Sequence, residues 1–393
     1  MSASPDDPAP ILPPATIGII GGGQLGRMLA MAARAMGYRI AVMDPDPDCP
    51  SAAVADAVIV GGYDDVTAAA RLAAVSAVVT YELEHVAATV GRAVADIRPL
   101  RPSLRALEVT QDRLAERHFL EAAGAAVAPF REVRTRAELD SAATALGFPL
   151  RLKAAIGGYD GRSQVGLAGP ADIESGWLAL ERSAAAAGLL LEREIDFACE
   201  LSVVVARGVD GRAMAFPAGR NRHDAGILFE TLVPAPAPVT AEIARRALAL
   251  AIGLADALEV VGTLTAELFL AGSGSLVVNE LAPRVHNSGH WTIEGAATSQ
   301  FEQHVRAICG LPLGDPAAHG AAAMINLLGT GERRPAQLAG VAEALADPAA
   351  HLHLYDKREV FERRKMGHLT VLAGTPEEAL ERAERARDLL SWT

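Results

Sequence analysis

Apolar positions along the chain follow two rhythms in turn. Residues 15–20 form a short aliphatic run, residues 27–37 repeat apolar side chains at helical spacing, and residues 38–43 form a second run ending at Asp44. A period near two predicts strands and a period near 3.6 predicts helices, so the chain opens strand, helix, strand. The alternation continues with a strand at 57–60, a helix at 68–75 and a strand ending at the acids Glu82 and Glu84. From about residue 102 the character changes. One long helix is predicted over 104–123, carrying Arg113, followed by a strand within 146–155 flanked by Gly and Pro. Residues 189–206 read as a short strand, an acid-rich turn and a β run beginning near Glu200. A proline-rich connector at 234–240 leads into an alanine-rich amphipathic helix over 240–258. Two β-branched and aliphatic runs, TLTAELFL and SLVVNE, flank AGSG and predict a hairpin. A helix ended by Gly310 and Pro312 follows, and the remainder forms a small terminal unit.

The chemistry sits on these elements. In the hairpin, Glu267 lands opposite Asn279 and Glu280, and two acids facing across a ladder repel unless a hard cation lies between them. Mg²⁺ suits such a site because phosphates and water complete its octahedron. Arg284, His286, Asn287 and His290 then crowd one Gly-containing loop fitted to oxyanions. Upstream, Lys153 precedes the Gly-rich GGYDGRSQVGL, the requirement for a mobile phosphate cover. Glu192 and the backbone after it can meet an adenine edge, and Glu200 a ribose diol; both roles are non-specific, because a glutamate in a turn is usually just solvated. His223 has Arg220 and Arg222 nearby, which reads either as a surface loop or as an anion site. Gly21, Gly23 and Gly26 with Asp44 spell a dinucleotide motif, although glycines at a strand-to-helix turn also serve other phosphates or close packing. Glu82, at the carboxyl end of a strand, is a candidate substrate contact or a helix-start acid. Lys357, Arg364 and Lys365 make the terminal unit the most basic stretch of the chain.

Bulk properties narrow the classes. A length of 393 residues suggests two or three domains, and no apolar run is long enough to span a membrane. A net charge of −12 argues against nucleic-acid binding but leaves room for a basic pocket. Cys49, Cys199 and Cys309 have no ligand-like spacing and suit a reducing cytosol. The first fifteen residues hold five prolines, two acids and no basic residue, and read as a disordered tail. The expected divisions are the tail at 1–15, a first domain at 16–103, a central domain at 104–310 with a lid at about 124–190, and a C-terminal domain at 311–393.

Taken in order, these features resemble an ATP-grasp ligase, and the strings GGGQLGRML, GGYDGRSQ, HDAGIL, NELAPRVHNSGHWT and YDK…GHL resemble the 5-(carboxyamino)imidazole ribonucleotide synthase family. The resemblance spans about residues 16–375. It implies an α/β protein, α+β in its central domain, with an ATP-grasp fold, an N-terminal Rossmann-like domain and a small β-rich C-terminal domain. ATP and Mg²⁺ would be used with bicarbonate to carboxylate 5-aminoimidazole ribonucleotide in purine biosynthesis, in a cytoplasmic homodimer with no nucleic-acid or membrane partner. Arg113 and Lys153 would contact ATP, with Gly158, Tyr159, Asp160, Gly161, Arg162, Ser163 and Gln164 as its cover. Glu192, Arg193, Glu194 and Ile195 would hold adenine and Glu200 the ribose, with His223 near the nucleotide. Glu267 and Glu280, with Asn279 beside them, would bind the metal, and Arg284, His286 and Asn287 would surround bicarbonate, these three and Lys153 being the catalytic set. Gln24, Leu25, Glu82, Tyr159, Asp160, Arg162, Lys357, Arg364 and Lys365 would face the ribonucleotide. Two positions depart from the family pattern: Ser163 stands where Gly is usual, and Ala154-Ala155 where polar residues are common. Another ATP-grasp enzyme, such as a glycinamide ribonucleotide transformylase or a biotin carboxylase, a nicotinamide-dependent oxidoreductase and a non-catalytic nucleotide-binding protein are the competing readings.

Overall fold

The computed structural model describes residues 9–157 and 163–393. The strands Thr16–Ile20 (β1), Arg39–Asp44 (β2), Ala57–Val60 (β3) and Val78–Tyr81 (β4) form a parallel sheet in the order β3-β2-β1-β4. Helix Gln24–Ala35 (α1) follows β1 and helix Val66–Val75 (α2) follows β3, each turning its apolar stripe onto the sheet. Parallel strands covered on both faces are close to continuously aliphatic, which is why β1 and β2 read so plainly in sequence. Helix Ala88–Ala95 (α3) packs beside α2 and leads toward the central region.

The long helix expected over 104–123 is two helices, Leu104–Gln111 (α4) and Arg113–Ala122 (α5). Asp112 breaks it. Its backbone is extended, its side chain accepts from the N–H groups of Leu114 and Ala115, and it bridges to Ile156. An aspartate that satisfies orphan helix amides competes with helix continuation, so α5 starts afresh with Arg113 at its first position.

Strand Phe130–Val133 (β5), helix Arg136–Leu146 (α6), strands Leu150–Ala154 (β6) and Gln164–Leu167 (β7), helix Ile173–Ala187 (α7) and strand Leu189–Arg193 (β8) make a separate four-stranded layer, ordered β5-β8-β6-β7. It has its own apolar core, with Leu150, Leu152, Leu167, Leu189 and Leu191.

The largest sheet is built from strands Phe197–Arg207 (β9), Ala213–Ala215 (β10), Gly219–Asp224 (β11), Ile227–Val233 (β12), Gly262–Ala271 (β13) and Leu276–Ala282 (β14). The strong β run therefore starts at Phe197, three residues before Glu200, and His223 lies on a strand rather than in a surface loop. Helix Ala241–Ala257 (α8) covers one face, burying Ala247, Ala251 and Leu254 against Val203, Val205, Leu264, Ala266 and Leu268. Alternation along β9 and β13 then sends Glu200, Ser202, Thr265 and Glu267 to the other face. The three longer C-terminal strands join this sheet, while Arg334–Pro335 with Glu359–Val360 and Leu338–Ala339 with Ser391–Trp392 form two small two-stranded sheets apart. Ala321–Leu328 (β15) pairs with β12, and strands Lys365–Ala373 and Ala350–Leu354 extend the same sheet outward.

Helix Thr292–Gly295 (α9) and helix Gln300–Ile308 (α10) follow the oxyanion-fitted loop. His304 of α10, fully buried, joins the parallel sheet to the largest sheet. Its Nδ1 accepts from the Thr263 N–H at 3.1 Å, so Nε2–H donates to Thr80 Oγ1 at 2.8 Å and the ring is neutral. Burial pushes this imidazole down to about 3. A group depressed on folding stabilises above its unfolded value near 6.5 and loses that contribution as the pH falls toward 3. Compared at pH 7 and pH 5 by urea denaturation, a His304→Gln variant should therefore lose about 2 kcal/mol less than the parent chain over that interval.

Candidate active site

The site lies on the polar face of the large sheet, where β13 and β14 pair with Glu267 directly opposite Glu280. A bulge after Glu267 shifts the register there, re-aiming the acids at the point where pairing becomes irregular. Glu267 is buried and Glu280 exposed, and burial together with the Glu280 charge pushes the Glu267 carboxyl up to about 8. His286 Nε2 approaches Glu267 Oε1 at 3.2 Å, while its Nδ1 accepts from Ser288 N–H at 3.3 Å. Burial first, then Arg284, holds His286 well below the usual imidazole range, so it is a neutral donor toward Glu267. Among the described residues no three His, Cys, Asp or Glu side chains converge on one point.

Along the same face, His223 Nδ1 lies 2.6 Å from Glu200 Oε2 on the neighbouring strand. Burial opposes the imidazolium, but the hydrogen bond to Glu200 and the charge of Glu267 outweigh it and raise the group. The flanking arginines point to other partners: Arg222 pairs with Glu230, and Arg220 donates to the Ala237 carbonyl.

Lys153, on β6 of the separate layer, forms an ion pair with Glu192 on β8. Burial lowers the ammonium, and Glu192 works against that shift. Arg113 donates to the Ala154 carbonyl at 2.8 Å, next to the lysine. Arg193 ends β8, and Glu194 and Ile195 follow in the connection to β9, with Glu194 paired to Arg151. Ser163 and Gln164 stand at the far side of the hairpin, where Gln164 pairs with Lys153. Ser163 adopts φ +57, a left-handed conformation that costs a residue with a Cβ about 1 kcal/mol, which is the physical reason for glycine at that place. Gly158, Tyr159, Asp160, Gly161 and Arg162 lie outside the described residues.

The oxyanion-fitted loop is stapled by Gln300, a residue with no signal in the sequence. It is fully buried, accepts the His286 N–H at 2.9 Å and donates to the His286 carbonyl at 2.7 Å. A Cβ on Gly289 would stand 2.4 Å from the Gln300 amide oxygen, so only glycine admits this approach. Arg284 pairs with Glu84 at 2.6 Å. Both polar atoms of the Asn287 amide and Nε of Arg284 are buried without a protein partner. Orphaned polar atoms of this kind mark where a small polar ligand or water belongs.

The glycine-rich turn after β1 is already filled from within. Glu82 accepts from the Gly23 and Gly26 N–H groups, the latter at 2.6 Å, and Asp44 accepts from the Gly22 N–H at 2.7 Å and from Tyr63. The amides that a dinucleotide phosphate would use are bonded to a carboxylate, so such a ligand would have to displace Glu82 there. Gln24 is half-buried at the start of α1; the Leu25 side chain packs in the core, leaving its backbone as the part able to face a ligand. Of the basic residues, Lys365 is close enough to depress His286 and His290, and Lys357 donates to the Lys365 carbonyl at 2.7 Å. Arg364 instead packs over Phe361 and donates to the Glu359 carbonyl.

The preATP-grasp domain of ribonucleotide synthetases matches residues 14–111, the ATP-grasp domain residues 118–301, and the phosphoribosylaminoimidazole carboxylase C-terminal domain residues 322–382. An N5-carboxyaminoimidazole ribonucleotide synthase from Bacillus subtilis is 42% identical over 94% of this chain and 95% of its own, and one from Brucella melitensis 44% identical over 93% and 98%. The chain belongs to the N5-carboxyaminoimidazole ribonucleotide synthase family. A crystal structure of an ADP complex of such a synthetase superposes with a TM-score of 0.87 at 43% identity, covering 96% of this chain and 97% of that one. The Aspergillus clavatus synthase, crystallised with ADP and 5-aminoimidazole ribonucleotide, superposes with a TM-score of 0.85 at 30% identity, covering 95% and 98%. In this family member the fold is thus ATP-grasp between a Rossmann-like and a small C-terminal unit, and the chain is an ATP-using ligase.

The raised Glu267 carboxyl has a measurable consequence. A carboxyl raised on folding contributes stability below its unfolded value of 4.5 and loses it as the pH rises through about 8. Glu267→Gln should gain about 4 kcal/mol on the parent chain between pH 5 and pH 8.5, read from urea midpoints, while losing activity.

Proposed function

We propose that the chain carboxylates 5-aminoimidazole ribonucleotide with bicarbonate and ATP, releasing ADP and phosphate, as a step of purine biosynthesis. The observation that carries this is the acid pair Glu267 and Glu280 beside a loop whose Asn287 amide and Arg284 Nε are buried and unpartnered. Relatives of the same family crystallised with ADP and with the ribonucleotide support it.

Glu267 and Glu280, with Asn279 next to them, fit Mg²⁺, because two carboxylates leave room for phosphate oxygens and the acid pair otherwise repels. Bound there, Mg²⁺ supplies charge neutralisation for the β- and γ-phosphates. Arg113, Lys153, Ser163 and Gln164 approach the phosphates, residues 192–195 the adenine, and Glu200 with His223 the ribose. A bicarbonate oxygen attacks the γ-phosphorus, the bond to the ADP oxygen breaks, and carboxyphosphate forms. Arg284, His286 and Asn287 orient the bicarbonate, with the neutral His286 unable to protonate it. Carboxyphosphate is labile in water, so the layer carrying Lys153 must close first. The exocyclic amine then attacks the carboxyl carbon, directly or as CO₂, phosphate leaves, and the nitrogen loses a proton. Gln24, the Leu25 backbone, Glu82, Lys357, Arg364 and Lys365 hold the ribonucleotide, Tyr159, Asp160 and Arg162 completing that set. The acidic chain, its three buried unpaired cysteines and its family fit a cytoplasmic homodimer that binds small molecules rather than nucleic acid or membrane.

Glu280→Gln should lower ADP formation that depends on bicarbonate and the ribonucleotide by about 10²-fold, and Asn287→Ala by about tenfold or more, in a coupled ADP assay. Stronger stimulation of ADP formation by glycinamide ribonucleotide or biotin than by aminoimidazole ribonucleotide would transfer the chain to another ATP-grasp activity.

A further inference from the structure

The lid lysine does not stand alone. Glu192 gives one carboxylate oxygen to Lys153 and the other to Arg117, whose Nη2 and Nε lie at 3.0 and 3.3 Å. Arg117 Nη1 reaches Glu116 at 3.2 Å, and the second oxygen of Glu116 accepts the Leu281 N–H at 2.6 Å. Leu281 directly follows Glu280. The guanidinium is 2% exposed and both carboxylates are below a tenth, so this line of charges runs through the interior from the lid to the metal-ligand strand.

Its arrangement poses a problem for nucleotide binding. Without nucleotide, the Lys153 charge is already matched by Glu192. Should the lysine turn to a triphosphate, Glu192 would remain as a buried carboxylate beside an incoming polyanion, where low dielectric makes repulsion strong. Arg117 resolves this. It stays charged throughout the working pH range, grips Glu192 through two donors, and uses the remaining side of its fork for Glu116. A lysine cannot bridge two carboxylates in that way.

We propose that Arg117 is a positioning residue for ATP: it keeps Glu192 neutralised when Lys153 exchanges that carboxylate for phosphate, and through Glu116 it anchors the backbone beside Glu280. The proposal rests on the reading above that Lys153 and Glu280 serve the nucleotide. Glu116 supports the coupling, since its carboxyl is pushed up to about 7 by burial, opposed by Arg117, with the Glu280 charge adding to the rise.

The test is binding of MgATP analogue AMP-PNP by calorimetry, in four chains: parent, Arg117→Met, Glu192→Gln and the double variant. Removing the guanidinium should weaken binding about tenfold when Glu192 is present and less than about threefold when Gln replaces it, because the uncompensated carboxylate is then gone. A merely structural role would lower the melting temperature without this dependence on background. Equal weakening in both backgrounds, or none in the parent, overturns the proposal. If Arg117→Met does not fold, Arg117→Lys takes its place, with a smaller difference of the same sign expected and equal factors again decisive against it. Failure of the parent itself to bind AMP-PNP would strike the nucleotide reading instead.

Discussion

The structure turns on two like charges held opposite each other. Glu267 and Glu280 occupy facing positions of one antiparallel pair, an arrangement that a sheet selected for stability alone would avoid. Everything around them accommodates that choice. The apolar face of the same strands is buried against α8, so the acids cannot move to the other side without exposing Leu264, Ala266 and Leu268. The cost of the pair shows in Glu267, whose carboxyl is displaced upward, and functional sites commonly carry such local destabilisation.

A second regularity follows from the first. The groups suited to binding anions are matched by carboxylates of the chain itself: Lys153 by Glu192, Arg284 by Glu84, and the α1 amides by Glu82. His223 is likewise matched by Glu200. Buried cations left unpaired would cost several kcal/mol each, so each is matched by a carboxylate of the chain itself. On the function proposed above, substrate binding would exchange these partners.

The C-terminal strands add a structural reason for treating the two ends of the site together. Because β15 pairs directly with β12, the strand starting at Lys365 belongs to the same sheet as Glu200 and His223. Lys365 is thereby fixed by main-chain hydrogen bonds relative to the strands that carry Glu200 and His223. Gln300 does the corresponding work for the loop itself, clamping His286 from both its N–H and its carbonyl.

Much of this was legible in the chain before folding. The βαβ opening, the hairpin that sets Glu267 against Glu280, the lysine with its following Gly-rich turn and the HNSGHW loop are local patterns, and period, turn residues and charge repulsion are properties of neighbouring residues. What the sequence could not disclose depends on partners far apart. Glu82 reaches back 59 and 56 residues to Gly23 and Gly26, Arg117 meets Glu192 across 75, and Glu116 meets Leu281 across 165. No periodicity encodes such closures; they are settled when layers pack and each buried charge must find a counter-charge. The same holds for the helix broken at Asp112, where a capping side chain overrode a helical pattern, and for the C-terminal strands joining the central sheet. Residue types and local spacing thus determined which chemistry was present, and tertiary packing decided which carboxylate neutralises which cation.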